Sequence, residues 1–184
     1  MRVIGGSARG RKLKAPPGGG TRPITDRAKE AIFNMLASLG ALEPDDRVLD
    51  LYAGSGSFGI ESLSRGAAFA TFVEQDRAAA AVLEANLTQL GFDDRAEVVV
   101  APVERVVASL AGPFAVAFCD PPYAIDPWAD LLPVVTARHV VGHADHEVPL
   151  PTGWEALRRK NYGRSHVVIA RRSAPASSGA PHVP

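Results

Sequence analysis

Cysteine is almost absent: of 184 residues only Cys119 carries a thiol, so no internal disulfide can form and nothing asks for an oxidising compartment. Long hydrophobic runs are missing as well. No stretch approaches the roughly 20 apolar residues of a membrane helix, and the opening MRVIGGSARGRKLK has no signal-peptide core. Secretion and membrane insertion are therefore not expected, and the cytoplasm is the expected compartment. Metal-ligand spacing is lacking too: His139, His143, Asp145 and His146 lie close in sequence but match no metal motif, so no metal is expected. Nor is there net charge, because twenty cations meet twenty anions.

What is present is a hydrophobic content of 46% beside 22% charged residues, the profile of one globular domain with a full core. Charge is unevenly placed. Residues 1–30 carry eight cations (Arg2, Arg9, Arg11, Lys12, Lys14, Arg22, Arg27 and Lys29) against Asp26 and Glu30, and residues 155–172 carry six against one. The middle holds seventeen of the twenty anions. An acidic body between two basic ends suits a nucleic-acid partner, although a charge pattern alone fits ordinary solvated faces equally well.

Along the chain, RVIGG and RKLKAP flank SARG as a small basic β-hairpin, closed by a PPGGG turn. Thr25 can cap a helix whose Ala28, Ala31, Ile32, Met35, Leu36 and Leu39 recur at helical spacing, with Gly40 as its stop. From Arg47 onward, apolar runs alternate with helical segments at about 58–65, 77–90 and 103–110. This alternation predicts a mainly parallel sheet covered on both faces. A helix near 127–137, a strand near 139–143 that Gly142 interrupts, and a final strand SHVVIARR follow. Residues 173–184, small, polar and Pro-rich, are expected to be disordered.

Two constellations carry chemistry. The first is VLDLYAGSGSFG, residues 48–59, in which a strand runs through a glycine turn into a helix. Gly54, Gly56 and Gly59 satisfy the dinucleotide pattern, with Glu74 twenty residues after Gly54 in place to bind ribose. Asp50, however, stands just before the glycines, where a carboxylate repels a pyrophosphate and suits a cation such as the aminopropyl end of S-adenosylmethionine. The second is Asp120-Pro121-Pro122-Tyr123, directly after an apolar run and so at the carboxyl end of the fourth strand. There the Asp120 carboxylate and Pro121 carbonyl can accept both N–H groups of an exocyclic amine, while Tyr123 offers a stacking face.

These motifs resemble the S-adenosylmethionine-dependent amino-methyltransferases with a D-P-P-Y motif. Arg2-Val3-Ile4-Gly5-Gly6, Arg9-Gly10-Arg11-Lys12-Leu13, Thr21 to Arg27, Phe33-Asn34 and Glu61 to Gly66 narrow the resemblance to the RsmD family of bacterial 16S rRNA guanine-N2 methyltransferases. The resemblance implies an α/β fold: a Rossmann-like, seven-stranded class I methyltransferase sheet over 23–172, with the hairpin as an extension over 1–22. It implies S-adenosylmethionine as cofactor, held by Asp50, Tyr52, Ala53, Gly54, Ser55, Gly56, Glu74 and Asp120, with Pro102 and Val103 flanking the adenine. Asp120, Pro121, Pro122 and Tyr123 would form the catalytic loop, with Arg22, Thr25, Asp26 and Arg27 over the cofactor side. The partner would be 16S rRNA or the small subunit, gripped by Arg2, Arg9, Arg11, Lys12, Arg22, Arg27, Arg158, Arg159 and Lys160. The family carries an acidic residue after a more continuous apolar fifth strand, where this chain reads HVVGHADHEVP.

Three alternatives remain at this point. A DNA adenine-N6 methyltransferase uses the same four residues, but the chain has no room for a separate DNA-recognition domain. A non-catalytic RNA-binding assembly factor would not need Asp120 and Tyr123, and a nicotinamide-linked oxidoreductase would bind a dinucleotide instead. A monomer is expected, because no long apolar surface stripe asks for a partner.

Overall fold

The computed structural model describes residues 1–16 and 24–173. Its strands are β1 (Arg47–Leu51), β2 (Phe69–Glu74), β3 (Ala96–Val100), β4 (Phe114–Cys119), β5 (Ala137–Ala144), β6 (Trp154–Tyr162) and β7 (Ser165–Arg172). They form one sheet in the order β3-β2-β1-β4-β5-β7-β6. The first five are parallel, and β7 runs antiparallel between β5 and β6. Every residue of β4 is buried, as befits a central strand covered on both faces.

Helices α1 (Asp26–Ser38), α2 (Ser57–Ser64) and α3 (Arg77–Leu90) cover one face, where Phe33, Phe58 and Phe118 form an aromatic cluster. The other face is covered by α4 (Val103–Val106), which tightens into a 3-10 turn over Val107–Ser109, and by α5 (Trp128–Val134). The Thr25 hydroxyl accepts from the Ala28 amide at 3.2 Å, so the capped first helix stands where its spacing places it. The Asp76 carboxylate caps α3 in the same way, accepting from Ala79 at 2.8 Å.

Several expectations change, among them the helix expected near 127–137, which ends at Val134 so that β5 begins at Ala137. The fifth strand is continuous through Gly142, because a Cβ there would sit 3.0 Å from Val168 and 3.3 Å from the Trp128 ring. Glycine is what lets these groups approach the strand. The segment 103–110 is helical only to Val106 before it tightens. Finally, β6 is a full nine-residue strand that the sequence reading leaves unassigned.

Residues 1–16 make one antiparallel bridge, Arg2 with Lys12, in place of two strands. Within it the Val3 amide donates to the Arg11 carbonyl and the Gly10 amide to the Val3 carbonyl, each at 2.9 Å. Val3, Ala8 and Leu13 are buried in the core beneath α1 to α3. The Ile4 and Gly5 amides donate to the Glu61 carboxylate at 2.7 and 2.8 Å. Asn86 on α3 both accepts from the Lys14 amide and donates to its carbonyl. Residues 17–23, with Arg22 and all of the PPGGG turn but Pro16, and most of the expected tail at 173–184 lie outside the described residues.

Candidate active site

The strand order reverses between β1 and β4, which leaves a crevice at their carboxyl ends. The glycine turn enters it from β1. Gly54 takes φ +54° and faces open space where a side chain would stand, whereas a Cβ on Gly56 would lie 2.3 Å from the Leu83 side chain. Gly59 packs α2 onto β2, since a Cβ there would come within 2.2 Å of the Phe72 ring. The three glycines thus give open approach, a tight turn and close helix–sheet contact. Tyr52 also takes a left-handed φ of 58°, and its hydroxyl donates to Glu104 at 2.7 Å. Burial, with Glu104 beside it, raises the pKa of that phenol.

Asp50 is only 1% exposed and lies beneath the turn. Its Oδ2 accepts from the Gly59 amide at 2.9 Å, anchoring the first turn of α2. Burial pushes its pKa up to about 8, with the charges of Asp120 and Glu74 adding to the rise, against the opposing pull of the amide hydrogen bonds. Asp50 therefore shapes the turn from below and has little surface to offer a ligand. Glu74 is better placed. Its Oε2 accepts from the Gly54 amide and its Oε1 from the Asp76 amide, both at 2.8 Å, so the carboxylate is fixed on the crevice rim. Ala53, Ser55 and Gly56 complete the turn. Pro102 opens α4, with Val103 buried beside it.

Glu74 and Asp120 set two carboxylates at the rim of the crevice, while the buried Asp50, its pKa pushed up to about 8, keeps its proton at neutral pH and adds little charge. Such a field favours a cationic ligand and opposes a pyrophosphate. Moreover, the Gly54 amide that a dinucleotide phosphate would use is directed at Glu74. The open Gly54 approach, the fixed Glu74 carboxylate and this negative surround fit S-adenosylmethionine.

Asp120 leaves β4 at the other lip of the crevice. The Pro122 carbonyl accepts from the Ile125 amide at 3.0 Å to close the loop. Pro121 is buried, Pro122 half-buried and Tyr123 44% exposed, so the tyrosine ring is available for stacking. The β4–β5 register pairs Cys119 with Gly142 and so brings His143 beside Asp120, with Nδ1 and Oδ1 2.7 Å apart. The sequence reading considers His143 only as a metal ligand. The useful signal was its place at the carboxyl end of a strand next to the D-P-P-Y strand. Among the described residues no group of three or more His, Cys, Asp or Glu side chains could hold a metal ion, and Cys119 is buried with its thiol pKa raised by that burial.

The cations divide into engaged and available groups. Arg2 pairs with Asp26 at 2.8 Å, and Arg11 donates to the Gln89 carbonyl. Arg159 is committed to the Val148 carbonyl and Glu147. Arg9, Lys12, Arg27 and Lys160 are exposed, as is Arg158, whose guanidinium donates to the adjoining Leu157 carbonyl at 2.7 Å. Strand pairing aligns His143 with Val167 and Val167 with Lys160, so a row runs from Asp120 across the sheet to the basic edge strand.

A seven-stranded sheet of this order, with an antiparallel β7 and a glycine turn facing a D-P-P-Y loop, defines a class I methyltransferase fold. The chain belongs to the RsmD and YlbH family: the family model described as "Conserved hypothetical protein 95" matches residues 1–171. It is 38% identical over 185 residues to "Putative rRNA methyltransferase YlbH" of Bacillus subtilis, covering 94% of this chain and 99% of that one. It is 34% identical over 190 residues to "Ribosomal RNA small subunit methyltransferase D" of Escherichia coli, covering 98% and 94%. Among solved structures it is similar to "Putative methyltransferase yhhF from Escherichia coli", with a TM-score of 0.82, 35% identity and coverage of 95% and 99%.

Proposed function

We propose that the protein transfers a methyl group from S-adenosylmethionine to the exocyclic N2 of a guanine in 16S rRNA, acting as a monomer in the cytoplasm. The observation that carries this reading is the Asp120–Tyr123 loop, set across the crevice from a turn suited to a cationic cofactor. When bound, S-adenosylmethionine supplies an electrophilic methyl group. Glu74 would hold its ribose, the Gly54 turn its methionine part, and the backbone at Pro102 and Val103 would flank its adenine.

The rest falls to the acceptor side. The Asp120 carboxylate and the Pro121 carbonyl accept the two N–H groups of the guanine amine, drawing its lone pair out of conjugation with the ring. Tyr123 stacks on the base and fixes its plane. As charge develops on nitrogen these two acceptors bind it more strongly, and alignment accounts for most of the acceleration, which is worth up to about 7–11 kcal/mol in favourable cases. Asp120 is 30% exposed, so the proton leaving the amine can pass through its carboxylate to water. A base inside a helix cannot reach this loop, so the target lies in a loop or is flipped, and Arg9, Lys12, Arg27, Arg158 and Lys160 would hold the flanking phosphates.

The test is transfer from labelled S-adenosylmethionine to small ribosomal subunits from cells lacking the endogenous enzyme, beside naked 16S RNA and duplex DNA, with the modified nucleoside identified by mass spectrometry. N2-methylguanosine on the subunit or its RNA is the expected result. Label in DNA as N6-methyladenine, or no label despite cofactor binding, overturns it.

A further inference from the structure

His143 has no part in the reaction described above, yet its Nδ1 lies 2.7 Å from the D-P-P-Y carboxylate. Its own side chain is 2% exposed, while Asp120 is 30% exposed. The 2.7 Å contact joins Nδ1 to Oδ1, so one carboxylate oxygen is held from within the protein and Oδ2 is left for a ligand. The other ring nitrogen, Nε2, is buried without a hydrogen-bond partner. A neutral imidazole carries one N–H, and here only Nδ1 has an acceptor in reach. The same ring meets Tyr123 edge-on, with centroids 6.1 Å apart and planes at 65°. One buried side chain therefore touches both the acceptor and the stacking surface of the loop. The strand is closely packed there: a Cβ on the preceding Gly142 would lie 3.0 Å from Val168 and 3.3 Å from the Trp128 ring.

We propose that His143 is a positioning residue of the methyl-transfer site, donating from Nδ1 to Asp120 Oδ1 so that Oδ2 faces the incoming amine, while its ring edge holds Tyr123. This rests on the function proposed above, since the amine is the group so aligned. An unrestrained carboxylate rotates freely and a lone exposed tyrosine has several rotamers. A misplacement of about 1 Å in such a group can cost about 100-fold in rate. A residue of this kind changes turnover and leaves cofactor affinity alone.

Two measurements decide it. In ¹⁵N-histidine spectra of the full chain without cofactor or RNA, His143 is expected to carry its proton on Nδ1, and Asp120→Ala to move that signal. A proton on Nε2, or a signal indifferent to Asp120→Ala, overturns the pairing whatever the substrate proves to be. In the transfer assay, His143→Ala is expected to lower kcat roughly 10- to 100-fold, with the S-adenosylmethionine Kd within about threefold. His143→Asn, which keeps an N–H near Nδ1, is expected to recover most of the loss. Unchanged kcat in His143→Ala overturns the proposal, as does His143→Asn performing no better than alanine, or a parallel loss of cofactor affinity and Tm. Should no RNA accept label from the wild-type protein, the functional reading fails while the spectra still decide the pair.

Discussion

Asp120 and Asp50 are both carboxylates at strand ends on the same face of the sheet, yet burial gives them different work. Asp120 is open to the crevice, and under the proposed function its loss would remove an acceptor needed most when charge appears on the amine. Asp120→Ala is expected to lower kcat by roughly 100-fold or more while the S-adenosylmethionine Kd, measured by calorimetry, moves less than tenfold; an equal fall in both means the residue only supports the fold. Asp50 is enclosed. Its folded-state pKa of about 8 stands above the unfolded value of about 3.9, so between these pH values the native state holds a proton that the unfolded chain has released. Stability therefore falls as pH rises through this window, by up to about 1.4 kcal/mol per pH unit, and levels off above the folded pKa. Asp50→Asn keeps an oxygen for the Gly59 amide and has no proton to lose. Urea titrations from pH 5 to 9 should show the wild type losing stability relative to Asp50→Asn, and parallel curves would rule this out.

Helix α2 connects the cofactor turn to the N-terminal segment. All eight of its residues are buried, and its Glu61 binds the Ile4 and Gly5 amides, Arg65 Nε at 2.7 Å and Lys29 Nζ at 3.6 Å. Desolvation lowers the Lys29 pKa against the upward pull of Glu61, and its ammonium also donates to the Arg2 carbonyl at 2.8 Å and the Ser57 hydroxyl at 3.3 Å. Glu61→Ala leaves two backbone amides without an acceptor and the 1%-exposed Lys29 ammonium without its counter-charge, held only by the Arg2 carbonyl and the Ser57 hydroxyl, and is expected to cost about 3–5 kcal/mol in urea unfolding. A loss under about 1 kcal/mol would show that water replaces the carboxylate. Deleting residues 1–14 breaks these same contacts, so charge substitutions probe RNA binding more cleanly than truncation. Legibility in the sequence varied by element for physical reasons. Helices α1 and α3 declare themselves through caps and a buried stripe, and the glycine turn through its spacing. Strand β6 does not: as an edge strand it reads WEALRRKNY, exposed on most positions, with no period-two alternation to find. Gly142 looked like an interruption because the Trp128 ring that requires it approaches from another element. The Asp120–His143 contact likewise depends on strand register, which no local pattern encodes.

The whole molecule has zero formal charge, yet its cations are gathered at the N-terminal segment and on β6 while the crevice is flanked by the Glu74 and Asp120 carboxylates. This division suits a protein that binds a cationic cofactor at its centre and a polyanion around it. Structure refines which cations matter: Arg159 and Arg2 are tied to acidic partners, whereas Lys160 lies in the row that leads from Asp120 through His143 and Val167 to the sheet edge. RNA phosphates bound here would release counterions, so apparent affinity is expected to fall with salt at a slope of about −0.7 for each contact on single-stranded RNA. Arg158→Ala with Lys160→Ala should flatten the log–log salt dependence of RNA binding by about 1.4 for two lost contacts, with S-adenosylmethionine affinity and Tm preserved, because both side chains project into solvent. Arg9→Ala with Lys12→Ala should do the same if the N-terminal segment grips phosphates on its own side. Should only the first pair flatten the slope, RNA enters along β5–β7–β6 and the N-terminal cations serve solubility. An unchanged slope in both pairs would move the RNA path off the basic ends altogether.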